Sequence, residues 1–140
     1  MKELRFLLLL VSVSPLFAHA DIAVIVNKSN PIDTVSQRQL IDMYMGKYVA
    51  FPNGEMAVTY DYDKSHPMRE PFFFALTGRN ESQINAYWSR IKFSGKVSPP
   101  QYFSSPSAIL KNIVKTPNAI GYIPMELVTD DVKVIYQIND

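Results

Sequence analysis

The sequence predicts an α/β sandwich built on a mixed sheet of four or five strands flanked by helices. Short β-branched apolar runs stand near both ends of the stretch from residue 22 to residue 136. Segments with apolar residues at helical spacing lie between them, and Gly, Pro or Asn marks most of the junctions. No internal repeat, low-complexity tract or linker interrupts the pattern.

Ile22 to Val26 is continuously apolar after Asp21, too short for a helix, and reads as a strand covered on both faces. Asn27 to Pro31 closes it. Ser36 with Gln39 forms a capping-box pair for a helix that presents Leu40, Ile41, Tyr44 and Met45 on one face and ends at Gly46. Tyr48 to Phe51 is irregular, and Pro52-Asn53-Gly54 turns the chain into a strand from Glu55 to Tyr60. There Met56, Val58 and Tyr60 alternate with Glu55, Ala57 and Thr59, which predicts one buried face.

Ser65 is a candidate N-cap with Pro67 in the first turn of the next helix, which carries Phe72, Phe73, Phe74 and Leu76 and stops at Gly78. Pro71 would kink a helix begun at Ser65, so the regular part is expected to begin nearer Glu70. Asn80 with Gln83 caps a further helix whose Ile84, Tyr87, Trp88 and Ile91 make the clearest amphipathic stripe in the chain. A loop runs from Phe93 to Pro100. Ser105 before Pro106 opens a helix with Leu110, Ile113 and Val114 inward, and Thr116-Pro117-Asn118 stops it. Ala119 to Ile123 and Val132 to Tyr136 are the last strands, joined through Thr129, Asp130 and Asp131.

Residues 1–20 read as an export signal and residues 21–140 as the mature domain. Lys2 and Arg5 precede the apolar run Phe6 to Val13, Pro15 breaks it, and Ala18-His19-Ala20 offers small residues around a cleavage point. The run is short for a bilayer span, so no membrane insertion is expected after cleavage. The chain has no cysteine, and export without disulfides suits a bacterial periplasm. Of the 14 basic and 13 acidic residues the signal takes two and one, leaving twelve of each. That balance supplies no basic stripe and argues against a nucleic-acid partner.

Whatever chemistry the chain has is expected where the strand ending near Tyr60 gives way to the next helix. A strand, a short loop and a helix start in this order form an anion seat from unpaired backbone N–H groups. Lys64, Ser65, His66 and Arg69 stand on the loop or one turn into the helix, with Asp61 and Asp63 beside them. A lone His66 has no second metal ligand and no orienting partner in recognisable spacing, and reads as a surface or capping residue. Asp61 and Asp63 read as turn formers before they read as an acid–base pair or a metal site. Three successive phenylalanines cannot all face inward, so at least one of Phe72 to Phe74 is expected at the surface, with Tyr87, Trp88 and Phe93 in the core. Asn80-Glu81-Ser82 has the glycosylation pattern, which its capping role explains. No nucleophile elbow, metal-ligand cluster or nucleotide phosphate loop is present, so no enzyme, metal or cofactor is expected.

Five pieces in order, Ile22 to Asn27, Gln39 to Lys47, Asp63 to Arg69, Tyr87-Trp88 with Phe93-Ser94-Gly95 and Pro99-Pro100, and Ala119 to Tyr122, resemble the phosphate ABC-transporter substrate-binding proteins. The resemblance implies one lobe of the type II periplasmic-binding-protein fold, where full-length members close two lobes around a ligand. The family's oxyanion loop has an arginine two residues before an aspartate, then Gly-Ser-Gly-Thr. Here Asp63 matches the aspartate and Ser65 the first serine, Asp61 stands at the arginine position, Lys64 and His66 replace the glycines, and Pro67 replaces the threonine. The implied reading is a non-enzymatic periplasmic lobe that holds phosphate or another small oxyanion through Ser65, Arg69, Lys64, His66 and Asp63. The alternative is a ligand-free module docking on a periplasmic sensor, channel or transporter component.

Overall fold

The computed structural model describes residues 21–95 and 97–139, so the proposed signal lies outside the described residues. The chain runs β1 (Ile22–Asn27), α1 (Gln37–Tyr44), β2 (Val58–Tyr62), α2 (Arg69–Thr77), α3 (Glu81–Lys92), β3 (Gln101–Phe103), α4 (Pro106–Lys115), β4 (Ala119–Pro124), a 3-10 turn (Met125–Leu127) and β5 (Val132–Ile138). The strands form one mixed sheet in the order β3-β2-β4-β1-β5. β2 is parallel to β3 and β4, and β1 is antiparallel to β4 and β5.

The unbroken apolar run of β1 follows from its place between two strands and between two helical layers, and Ile22 to Val26 are all buried. On β4, successive residues face opposite layers. At Gly121 the sheet meets α4, where a Cβ would lie 2.7 Å from Ile109 and 3.1 Å from Ile113. Tyr122 faces the other layer, where the Phe72 ring of α2 stacks on it at 3.6 Å and Tyr44 of α1 meets it edge-on at 6.0 Å.

Local chemistry sets the helix limits. Capping boxes at Ser36/Gln39 and Asn80/Gln83 open α1 and α3, and Ser105 with Pro106 at the first position opens α4. Several expectations are corrected. β2 begins at Val58 and not at Glu55; it is buried at Thr59, Tyr60, Asp61 and Tyr62, while Met56 is 69% exposed. Burial of consecutive residues means that both faces of this stretch are covered, which removes the solvent face that an alternating strand requires. The expected loop to Pro100 is followed by a short strand, β3, that no hydropathy pattern marks. Ile109, not Leu110, joins Ile113 in the core, and Val114 is 43% exposed. Phe74 is the exposed member of its run, and Phe93, expected in the core, lies at the surface.

Candidate functional site

β2 delivers Asp61 and Tyr62 to the carboxyl end of the parallel part of the sheet, the end at which open α/β sheets present their loops for binding. The connection to α2 is a pair of tight turns and not a capped helix start. The Asp63 carbonyl accepts from the His66 N–H at 3.1 Å, and the His66 carbonyl accepts from the Arg69 N–H at 3.1 Å. Ser65 takes a left-handed backbone with φ 69°, which an N-cap residue cannot have. α2 therefore starts at Arg69 with Met68 before it, and Ser65 caps nothing. Pro71 falls in the first turn, where the N–H it lacks has no helical partner, and needs no kink.

Arg69 is directed into the protein. Only 1% of its side chain is exposed, although the turn before it is open to solvent. Its Nη1 donates to Glu81 Oε1 at 2.9 Å and to Asn85 Oδ1 at 2.8 Å, and its Nη2 lies 3.4 Å from Asp61 Oδ2. The Phe73 ring lies under the guanidinium at 5.5 Å. Burial works against the charge on Arg69, but Asp61, with Tyr122 and Glu81, outweighs it, and the guanidinium is held more firmly protonated than usual.

Asp61 is equally buried. Its Oδ1 accepts from the Tyr62 N–H at 2.7 Å and the Tyr122 hydroxyl at 2.5 Å. Burial pushes its carboxyl above the usual range, and Arg69 and those two donors pull it back in part. Asp61 is thus a buried carboxylate on β2, and the arginine that balances it comes from α2.

Glu81, at the first position of α3, closes the corner. Its Oε1 accepts from the Ser65 N–H at 2.6 Å as well as from Arg69. One carboxylate oxygen thereby receives two converging donors, one from the loop and one from the buried cation.

The five sequence candidates divide. Ser65 and Arg69 meet at Glu81. His66 stacks on the Tyr62 ring at 4.2 Å, and its Nδ1 accepts from the Met68 N–H at 3.2 Å, which fixes it as a turn-forming residue. Asp63 and Lys64 are exposed and line a cleft of about 200 Å³ with Asn85, Trp88, Ser89, Lys92 and Tyr102. Glu81 and Asn85 carried no functional reading from sequence. Their signal was the polar stripe Glu81, Asn85, Ser89 and Lys92, at three- and four-residue spacing beside the apolar stripe of α3. Among the described residues no group of three or more acidic, His or Cys side chains is placed to hold a metal ion.

Neither the protein-family models nor the curated proteins give a match to this chain. Solved structures do. A protein from Clostridium perfringens, described as a phosphate ABC transporter substrate-binding protein and solved with bound phosphate, superposes with a TM-score of 0.65 at 21% identity, over 83% of this chain and 45% of that one. An ABC-type phosphate transport receptor from Vibrio cholerae gives 0.64 at 20%, over 83% and 46%. PstS from Borrelia burgdorferi gives 0.62 at 12%, over 83% and 47%. The likeness is one of fold, carried in this chain by a five-stranded mixed sheet flanked by helices. This chain spans less than half the length of those structures.

Proposed function

We propose that this protein is an exported, non-enzymatic substrate-binding-protein-like lobe that serves as a docking module for a periplasmic transporter component, channel or sensor. Residues 1–20 are its export signal and 21–140 its working domain. The reading rests on Glu81. The donors that an oxyanion would need at Ser65 and Arg69 are engaged by a side chain of the same molecule. Arg69 is further neutralised by Asp61, so the corner offers no free positive charge.

A second reading keeps phosphate or a similar small oxyanion as a ligand of the adjoining cleft, in connection with phosphate ABC transport. Its support is the pair Lys64, in the loop after β2, and Lys92, the last residue of α3, on that cleft, together with the fold shared with phosphate receptors. A panel of phosphate, sulfate and chloride at matched low ionic strength separates the two. The docking reading expects no rise in the wild-type melting midpoint beyond that in chloride. A saturable rise with phosphate selects the second reading, because only a ligand of the native state raises the midpoint in this way.

A further inference from the structure

We infer that the Ser65 amide and Arg69, the latter held in place by Asn85, make an oxyanion seat whose resident anion is the Glu81 carboxylate. The inference rests on the docking-module reading and deepens it, because it states what the seat would accept.

Three observations carry it. The donors converge on one oxygen, at 2.6 Å from the Ser65 amide and 2.9 Å from Arg69 Nη1, as short charge-assisted bonds do. The guanidinium is fixed from several sides, by Asn85 on the same Nη1, Asp61 at Nη2 and the Phe73 ring beneath. A solvent-exposed ion pair needs no such scaffold. Finally, the Ser65 amide that meets Glu81 belongs to a left-handed residue that is not glycine, a conformation kept only where its surroundings impose it.

Glu81 spans from the first turn of α3 to the loop after β2, joining two walls of the cleft that Lys64 and Asn85 line. A free anion bound here would bridge the same walls. Glu81 does so from within the chain, at an effective concentration that excludes dilute competitors. Asp61 already balances Arg69, so the seat suits a small monoanion, a carboxylate or singly charged phosphate, better than a dianion.

Removing the resident tests this. Glu81→Ala is expected to lower the melting midpoint by about 5 °C. Formate, acetate or phosphate, titrated against chloride at matched ionic strength, is expected to restore about half of that loss in the variant and to leave the wild type unmoved. Glu81→Gln, which keeps the shape and an acceptor oxygen, is expected to show no recovery. If Glu81→Ala does not fold in chloride, its refolding yield in formate is the readout, and a yield no better than in chloride overturns the inference. Loss of stability with no anion-specific recovery also overturns it and leaves the docking reading standing. Equal stabilisation of wild type and variant by phosphate overturns both.

Discussion

Arg69 shows how one side chain changes the meaning of a motif. Among surface residues it would be a free cation one turn into a helix, available to a ligand. Buried to 1% exposure between Asp61 and Glu81, it is the counter-charge that makes Asp61 tolerable at the end of β2. Arg69→Met is expected to cost about 3–5 kcal/mol in urea unfolding, because Asp61 is left buried without its cation. Adding Asp61→Asn is expected to recover more than half of that. An exposed ligand arginine would lose at most about 1 kcal/mol on the same change, and that smaller loss would refute the buried pair. Nothing in residue order distinguishes the two roles. Positions 61, 69 and 81 lie on three different elements, and only folding brings their side chains together.

At the scale of elements, caps marked the starts of three of the four α-helices, while the cap expected at Ser65 and the expected face of β2 did not hold. α1, α3 and α4 begin at the residues whose side chains take the first free amides, a property of a few consecutive positions. β2 defeated the alternation rule because both faces and both edges of its central part are covered. β3, three residues long and largely exposed, has no hydropathy signal and exists because β2 offers it an edge. Gly121 of β4 lies against Ile109 and Ile113 of α4. A Cβ there would sit 2.7 Å from the branched Ile109 side chain, which cannot swing away. Gly121→Ala is therefore expected to destabilise by about 1–3 kcal/mol, read as a lower urea midpoint with unchanged slope. No measurable change would mean that α4 rides higher on the sheet.

For the whole molecule, the Tyr122 face of the sheet is an aromatic core with polar threads. The Tyr44 hydroxyl donates to the carbonyl of Tyr60, and the Tyr62 hydroxyl to that of Tyr122. Tyr122 donates to Asp61. Burial first, and then the nearby Asp61 charge, raises the ionisation of all three phenols above the ordinary tyrosine range. The folded chain therefore holds these protons more tightly than the unfolded one. Their stabilisation is complete below about pH 10, the ordinary phenol value, and is lost as pH rises toward the raised folded values. Phenolate absorbance from these residues is expected to appear together with loss of the circular-dichroism signal above pH 10. Phenolate formation by all the tyrosines ahead of unfolding would contradict this core.

The α/β class, the capped helices and the buried first strand were set by the sequence alone, because each depends on neighbours within a few positions or on a local period. The sequence also singled out the loop after β2 as the candidate site, since a strand gives way to a helix there. Tertiary structure alone decided which partners the side chains of that corner meet. The burial of Arg69, its pairing with Asp61 and the arrival of Glu81 are contacts across sequence separations that no local pattern encodes, and they turn an expected open anion seat into one closed by the chain itself.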